Sequence, residues 1–171
     1  MALYALGDLH LSFQADKPMD AFAKVWYDQE KKIIKYVNRM VKPEDTLVLT
    51  GDHSWGRKMP QCREDLAFIE RLPGRKILLR GNHDMFWDAK KTENLNKEYK
   101  GRLFFLQNNF AVYRDYALVG TKGFTFEGPF YLNRRCQIIG WDEKREEQAK
   151  KLVAREMARL QESFRLAREE G

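Results

Sequence analysis

The sequence predicts an α/β fold built on a parallel sheet. Three observations carry that expectation. Short apolar runs alternate with longer stretches of helical periodicity. Three of the runs end in glycine followed by Asp or Asn, at Gly7-Asp8, Gly51-Asp52 and Gly81-Asn82. The stretches between them are long enough for a crossover helix. With 171 residues, the chain has the size of one domain spanning 1–171. Hydrophobic residues make up 43% and aromatics 13%, which supplies an ordered core and argues against disorder.

Residues 3–6 are a short apolar strand. The periodicity of 19–40 predicts one long helix, with Phe22, Trp26, Ile33 and Val37 on its inner face, broken at Lys42-Pro43. A second strand covers 46–50. A helix over 62–72 closes at Pro73-Gly74, and a third strand covers 76–79. Residues 103–106, 110–113 and 117–119 read as short strands with tight turns between them. Residues 121–139, rich in Gly, Pro and aromatics, read as a loop lying over another part of the molecule. The final stretch, 142–170, is a charged helix whose Ala149, Val153, Met157, Leu160, Phe164 and Ala167 recur at intervals of three and four. That stripe is expected to pack on the sheet, with docking of a partner helix as the sharper alternative.

The net charge is +6. It suits an anionic substrate such as a phosphoester and equally suits simple solubility. The final helix balances eight acidic against eight basic residues, so the surplus lies upstream. No nucleic-acid motif or aromatic–basic stacking pattern is present, which argues against a nucleic-acid partner. Cys62 and Cys136 lie far apart and read as free thiols, pointing to a cytoplasmic location. The apolar N-terminus lacks a basic leader and a cleavage site and reads as a buried strand. No apolar run reaches membrane-spanning length.

The chemistry-bearing residues sit in three loops: Gly7-Asp8-Leu9-His10, Gly51-Asp52-His53-Ser54 and Gly81-Asn82-His83-Asp84. Each follows directly on a predicted strand. The carboxyl ends of parallel strands share one edge, where ligands bind, so the loops are predicted to converge. Any one of them could be ordinary turn chemistry; all three in order leave chance a poor explanation. Carboxylate, imidazole and carboxamide donors without thiolate suit manganese, iron, zinc or magnesium. Asp52, on the middle loop, is placed to bridge two ions. Ions about 3.5–4 Å apart would clamp a phosphoryl group and generate hydroxide for in-line attack. His83 would protonate the leaving oxygen, with Asp84 orienting its ring.

Gly-Asp-Leu-His, Gly-Asp-His-Ser-Trp and Arg-Gly-Asn-His-Asp resemble the first three motif blocks of the calcineurin-like metallophosphoesterase superfamily. The wider similarity covers roughly residues 1–125, including Asp65-Leu66-Ala67-Phe68-Ile69 and Phe105-Leu106-Gln107-Asn108-Asn109, and points to a bacterial branch of phosphohydrolases. The resemblance implies a metallo-dependent phosphatase-like α/β/β/α sandwich with two divalent ions (Mn, Fe or Zn) at the strand ends. By that resemblance Asp8 and His10 bind one ion, Asp52 bridges and Asn82 binds the second. His83 and Asp84 form the catalytic pair. The family also carries a later histidine and a Gly-His-x-His block, whereas the three histidines here are His10, His53 and His83. The expectation is therefore a fold truncated at its C-terminus. Three readings stay open: a shortened chain, completion by another subunit such as a second copy in a homo-oligomer, or a non-catalytic module acting through protein interaction. His53 reads as a supporting or substrate-facing residue rather than a ligand, Trp55 as packing, and Arg80 as half of a salt bridge.

Overall fold

The computed structural model describes residues 1–124 and 130–170. Four parallel strands, β1 (Leu3–Leu6), β2 (Thr46–Leu49), β3 (Arg75–Leu79) and β4 (Leu103–Leu106), lie side by side in chain order. Leu6 pairs with Leu49 and Leu49 with Leu78, so the first three strands end level with one another. The loops that follow therefore emerge together, as the sequence predicts.

One face of the sheet is covered by three helices, α1 (Gln29–Met40), α2 (Arg63–Glu70) and α3 (Thr92–Glu98). Leu47, Leu49, Leu78 and Phe105 from the strands meet Val37, Leu66, Ile69 and Leu95 there in one core. Fully burying each such side chain contributes about 1.5–3 kcal/mol. On the opposite face, Ile77 and Leu106 pack against Ala111 and Leu118 of an antiparallel hairpin, β5 (Phe110–Tyr113) and β6 (Tyr116–Val119). A long helix, α4 (Glu143–Glu170), rests on that hairpin.

Four details depart from the sequence reading. The helix expected over 19–40 is only its second half. Residues 19–21 and 24–26 form isolated 3-10 turns, Ala23 between them is extended, and Asp28 sits at φ 52° just before α1 begins. Ile33 and Val37 do face the core, but Phe22 stands in solvent and Trp26 turns toward the strand-end loops. Helix α3, which the sequence reading leaves unassigned, buries little besides Thr92 and Leu95, too few apolar positions to set a period. Within 121–139, expected as a loop, residues 130 onward form a second hairpin, β7 (Phe130–Leu132) with β8 (Ile138–Trp141); residues 125–129 lie outside the described part. Finally, α4 is rotated from its expected seating. Ala149, Glu156 and Ser163 are its buried residues, while Val153, Met157 and Phe164 of the apolar stripe are exposed. The tie is polar: Thr121, outside the helix, donates to the Glu156 carboxylate and draws that face inward, while Arg155 and Arg159 of α4 itself donate to its other oxygen.

No helix among the described residues is long and apolar enough to cross a membrane.

Candidate metal centre

Past the strand ends, the first two loops zip together. The amides of Asp8, His10 and Leu11 donate to the carbonyls of Gly51, Asp52 and His53 at 2.8–3.1 Å. The third loop is tied in by carboxylates. Asp84, fully buried, accepts from the amides of Asp52 (2.9 Å), Gly81 (2.8 Å) and His53 (2.8 Å). In return, the His83 amide donates to Asp52 Oδ1 at 2.8 Å. The backbones approach so closely that a Cβ on Gly81 would lie 2.1 Å from Asp52 Oδ1, and glycine is required there.

This weave brings together Asp8, His10 and Asp52. One ligand atom from each lies within 4.8 Å of the others. His10 Nε2 is 3.4 Å from Asp8 Oδ1 and 3.9 Å from Asp52 Oδ2. Asp52 thus presents one oxygen to the loop amide and the other to the cluster. All three residues sit in the left-handed backbone region, at φ 57°, 45° and 54°. Non-glycine residues hold that conformation only where surroundings impose it, and such strain concentrates at functional sites. The donor set, two carboxylates and an imidazole with no thiolate, fits a hard or borderline divalent ion. Asn82 lies exposed on the third loop.

Rings crowd around His10. Trp55 stacks on it at 4.8 Å between centroids, Trp26 meets it edge-on at 6.0 Å, and His83 lies 5.5 Å away. Trp55 also contacts the His83 ring at 4.4 Å and carries the Lys17 ammonium 3.2 Å from its centroid. It is therefore a wall of the site rather than core packing. Trp26 and Lys17 are site neighbours that the sequence reading missed. Their segment reads as helix or turn, and nothing in its pattern marks its distance from the strand ends.

Asp84 does not orient the His83 ring. Its oxygens are occupied by loop amides, so it positions the loops themselves. His53 is fully buried, with its Nε2 2.7 Å from the Leu79 carbonyl. That contact requires the proton on Nε2. The ring lies beneath the site, outside the ligand cluster, as a supporting residue. A second buried tie holds the loops from below: Ser54 Oγ donates to Asp65, which also accepts from the Phe13 amide at 2.9 Å. Burial raises the Asp65 pKa, with the Ser54 hydroxyl and the Phe13 amide opposing it. Burial likewise pushes the neighbouring Cys62 thiol up to about 11. Arg80, expected in a salt bridge, instead donates from Nε to the Asp84 carbonyl at 3.5 Å.

A parallel sheet with helices makes this an α/β protein, and its strand-end loops gather carboxylate and imidazole donors that could hold a metal ion. The chain belongs to the calcineurin-like phosphoesterases, whose family model matches residues 1–167. Membership implies metal-dependent phosphoester hydrolysis in general terms. Comparison with curated proteins finds no match. Among solved structures, the chain resembles a protein of unknown function, AQ665 from Aquifex aeolicus, at 23% identity and a TM-score of 0.46. The match covers 91% of this chain and 74% of that one.

Proposed function

We propose that this protein is a phosphoester hydrolase whose metal centre is held by Asp8, His10 and Asp52. The observation that carries this reading is the convergence of those three side chains, all with left-handed backbones, within 4.8 Å at the carboxyl edge of the sheet. Asn82, on the adjoining loop, would extend the donor set toward a second ion, and manganese, iron or zinc suits these donors. A divalent ion bound there supplies Lewis-acid activation of the phosphoryl group and of water.

The chain's own residues do the rest. Asp52 is oriented by the His83 amide, which leaves its second oxygen for the ion. His10 is held by its stack on Trp55. His83, half-buried beside that same indole, is placed to protonate the leaving oxygen. Asp84 is a positioning residue, since it fixes Asp52 and Gly81 through their amides. Helices on one face of the sheet, with a hairpin and α4 on the other, support the α/β/β/α layering expected of this family.

Manganese-dependent hydrolysis of p-nitrophenyl mono- and diesters tests the reading, with Asp52→Asn prepared identically. Activity in the wild type that falls by about a hundredfold or more in the variant is expected. Equal rates in both proteins would refute it.

A further inference from the structure

Five cations line one cavity at the amino edge of the sheet, at the opposite end of the strands from the metal centre. The cavity, of about 680 Å³, lies between α3 and the starts of β3 and β4. Arg75, Lys76, Lys97, Lys100 and Arg102 line it, and Glu93 is the acidic residue among them. β3 alone is five residues long, a span of about 16 Å, and the metal-binding loops begin beyond its far end.

Two of the five cations are neutralised and three are not. Lys97 pairs with Glu93 at 2.6 Å, and Arg102 Nη1 reaches both oxygens of Glu70, at 2.9 and 3.0 Å. Arg75 and Lys76 donate instead to backbone carbonyls, those of Val112 at 2.6 Å and Leu72 at 2.9 Å. A carbonyl fixes a cation in place without cancelling its charge. Asp45, whose carbonyl accepts from the Arg75 amide, turns its carboxylate to the amides of Ala2 and Lys42. Among the described residues, no carboxylate pairs with Arg75, Lys76 or Lys100. Lys76 is only partly exposed; burial lowers its pKa, opposed by the charge of Glu70. A cleft with an excess of one sign concentrates the opposite ion.

The same wall is closed to a partner strand, although β4 is an outer strand of the sheet. Asn96 accepts from the Phe105 amide at 2.7 Å and donates to its carbonyl at 2.9 Å, and the Leu103 amide donates to the Tyr99 carbonyl. Those backbone groups are engaged, so what the cavity offers a ligand is charge.

We infer that this cavity is an anion site for a small molecule carrying two or more linked phosphate groups, bound by Arg75, Lys76 and Lys100. A planar guanidinium fork and compact ammonium ions are the groups that take phosphate oxygens. Three uncancelled positive charges match a linked di- or triphosphate better than a single phosphate. The volume falls within the range of about 300–1,000 Å³ usual for small-molecule sites. This site is separate from the metal centre and does not rest on the hydrolase reading.

Calorimetric titration with inorganic tripolyphosphate, in the presence of chelator so that no metal contributes, tests it. The wild type is expected to bind at one site. Lys100→Glu, at an exposed position, should weaken binding about tenfold or more, and Lys76→Gln by a similar factor. Lys151→Glu, the same charge change on the exposed face of α4, should leave binding unchanged, as should Asp52→Asn at the metal centre. Should Lys76→Gln unfold, Lys100→Glu decides. Orthophosphate should bind at least tenfold more weakly than tripolyphosphate. Absent binding, or an equal loss in Lys100→Glu and Lys151→Glu, would overturn the site. Equal affinity for orthophosphate and tripolyphosphate would overturn the choice of ligand, and altered binding in Asp52→Asn would put the anion at the metal centre instead.

Discussion

The carboxyl edge of the sheet and the hairpin beyond residue 130 are built in opposite ways. At the edge, buried polar atoms pair across three loops, and Asp84 alone receives amides from two of them. In the hairpin, Tyr131, Leu132, Ile138, Ile139 and Trp141 are all 45% exposed or more. Its ties to the described residues outside it are polar and confined to the start of α4, Tyr131 to Asp142 and Arg145 to the Phe130 carbonyl. A two-stranded ribbon of that kind is marginal in water. The difference teaches where the fold concentrates its rigidity: around the candidate metal centre, and little at the periphery.

The largest effect that would sharpen this contrast is expected at Asp84. Asp84→Ala strips the partner from several buried amides at once and should destabilise the protein by about 3–5 kcal/mol in urea unfolding. Trp141→Ala in the hairpin, whose indole is 62% exposed, should cost less than about 1 kcal/mol by the same measurement. Comparable losses at the two positions would break the comparison.

A smaller effect concerns Glu156, which joins α4 to the loop after β6. Burial raises its pKa, but the Thr121 hydroxyl and the charges of Arg159 and Arg155 together outweigh that and hold it below the ordinary 4.5. A carboxylate with a depressed folded pKa contributes stability above its unfolded pKa and loses it as pH falls through the folded one. The thermal midpoints of wild type and Glu156→Gln should therefore differ most near about pH 7, and the gap should shrink as the pH falls below about 4.5. A gap independent of pH would remove the charge from the account.

Much of the inner molecule is legible in the sequence, because each of the first three strands is an apolar run closed by a Gly-Asp or Gly-Asn pair. Parallel pairing then forces the loops to one edge. That rule brings the loops of Asp8, His10 and Asp52 to one place, while their selection as ligands comes from the family resemblance of the motifs. Two things were not legible. The break at Ala23 and Asp28 depends on backbone conformations that helical spacing does not reveal. The seating of α4 follows Glu156, a polar anchor inside a helix whose apolar stripe points elsewhere. Asp84 stands between these cases. Its presence in the motif was readable, but its orientation toward amides rather than toward His83 required coordinates.

The central claim is that Asp8, His10 and Asp52 form one metal site. Calorimetric titration of metal-free protein with manganese tests it most directly, because it asks for the ion without asking for a substrate. Saturable binding in the wild type, weakened at least tenfold by Asp52→Asn in a variant that keeps its thermal midpoint, is the predicted result. Binding of equal strength in both proteins, or none in the wild type, would contradict it.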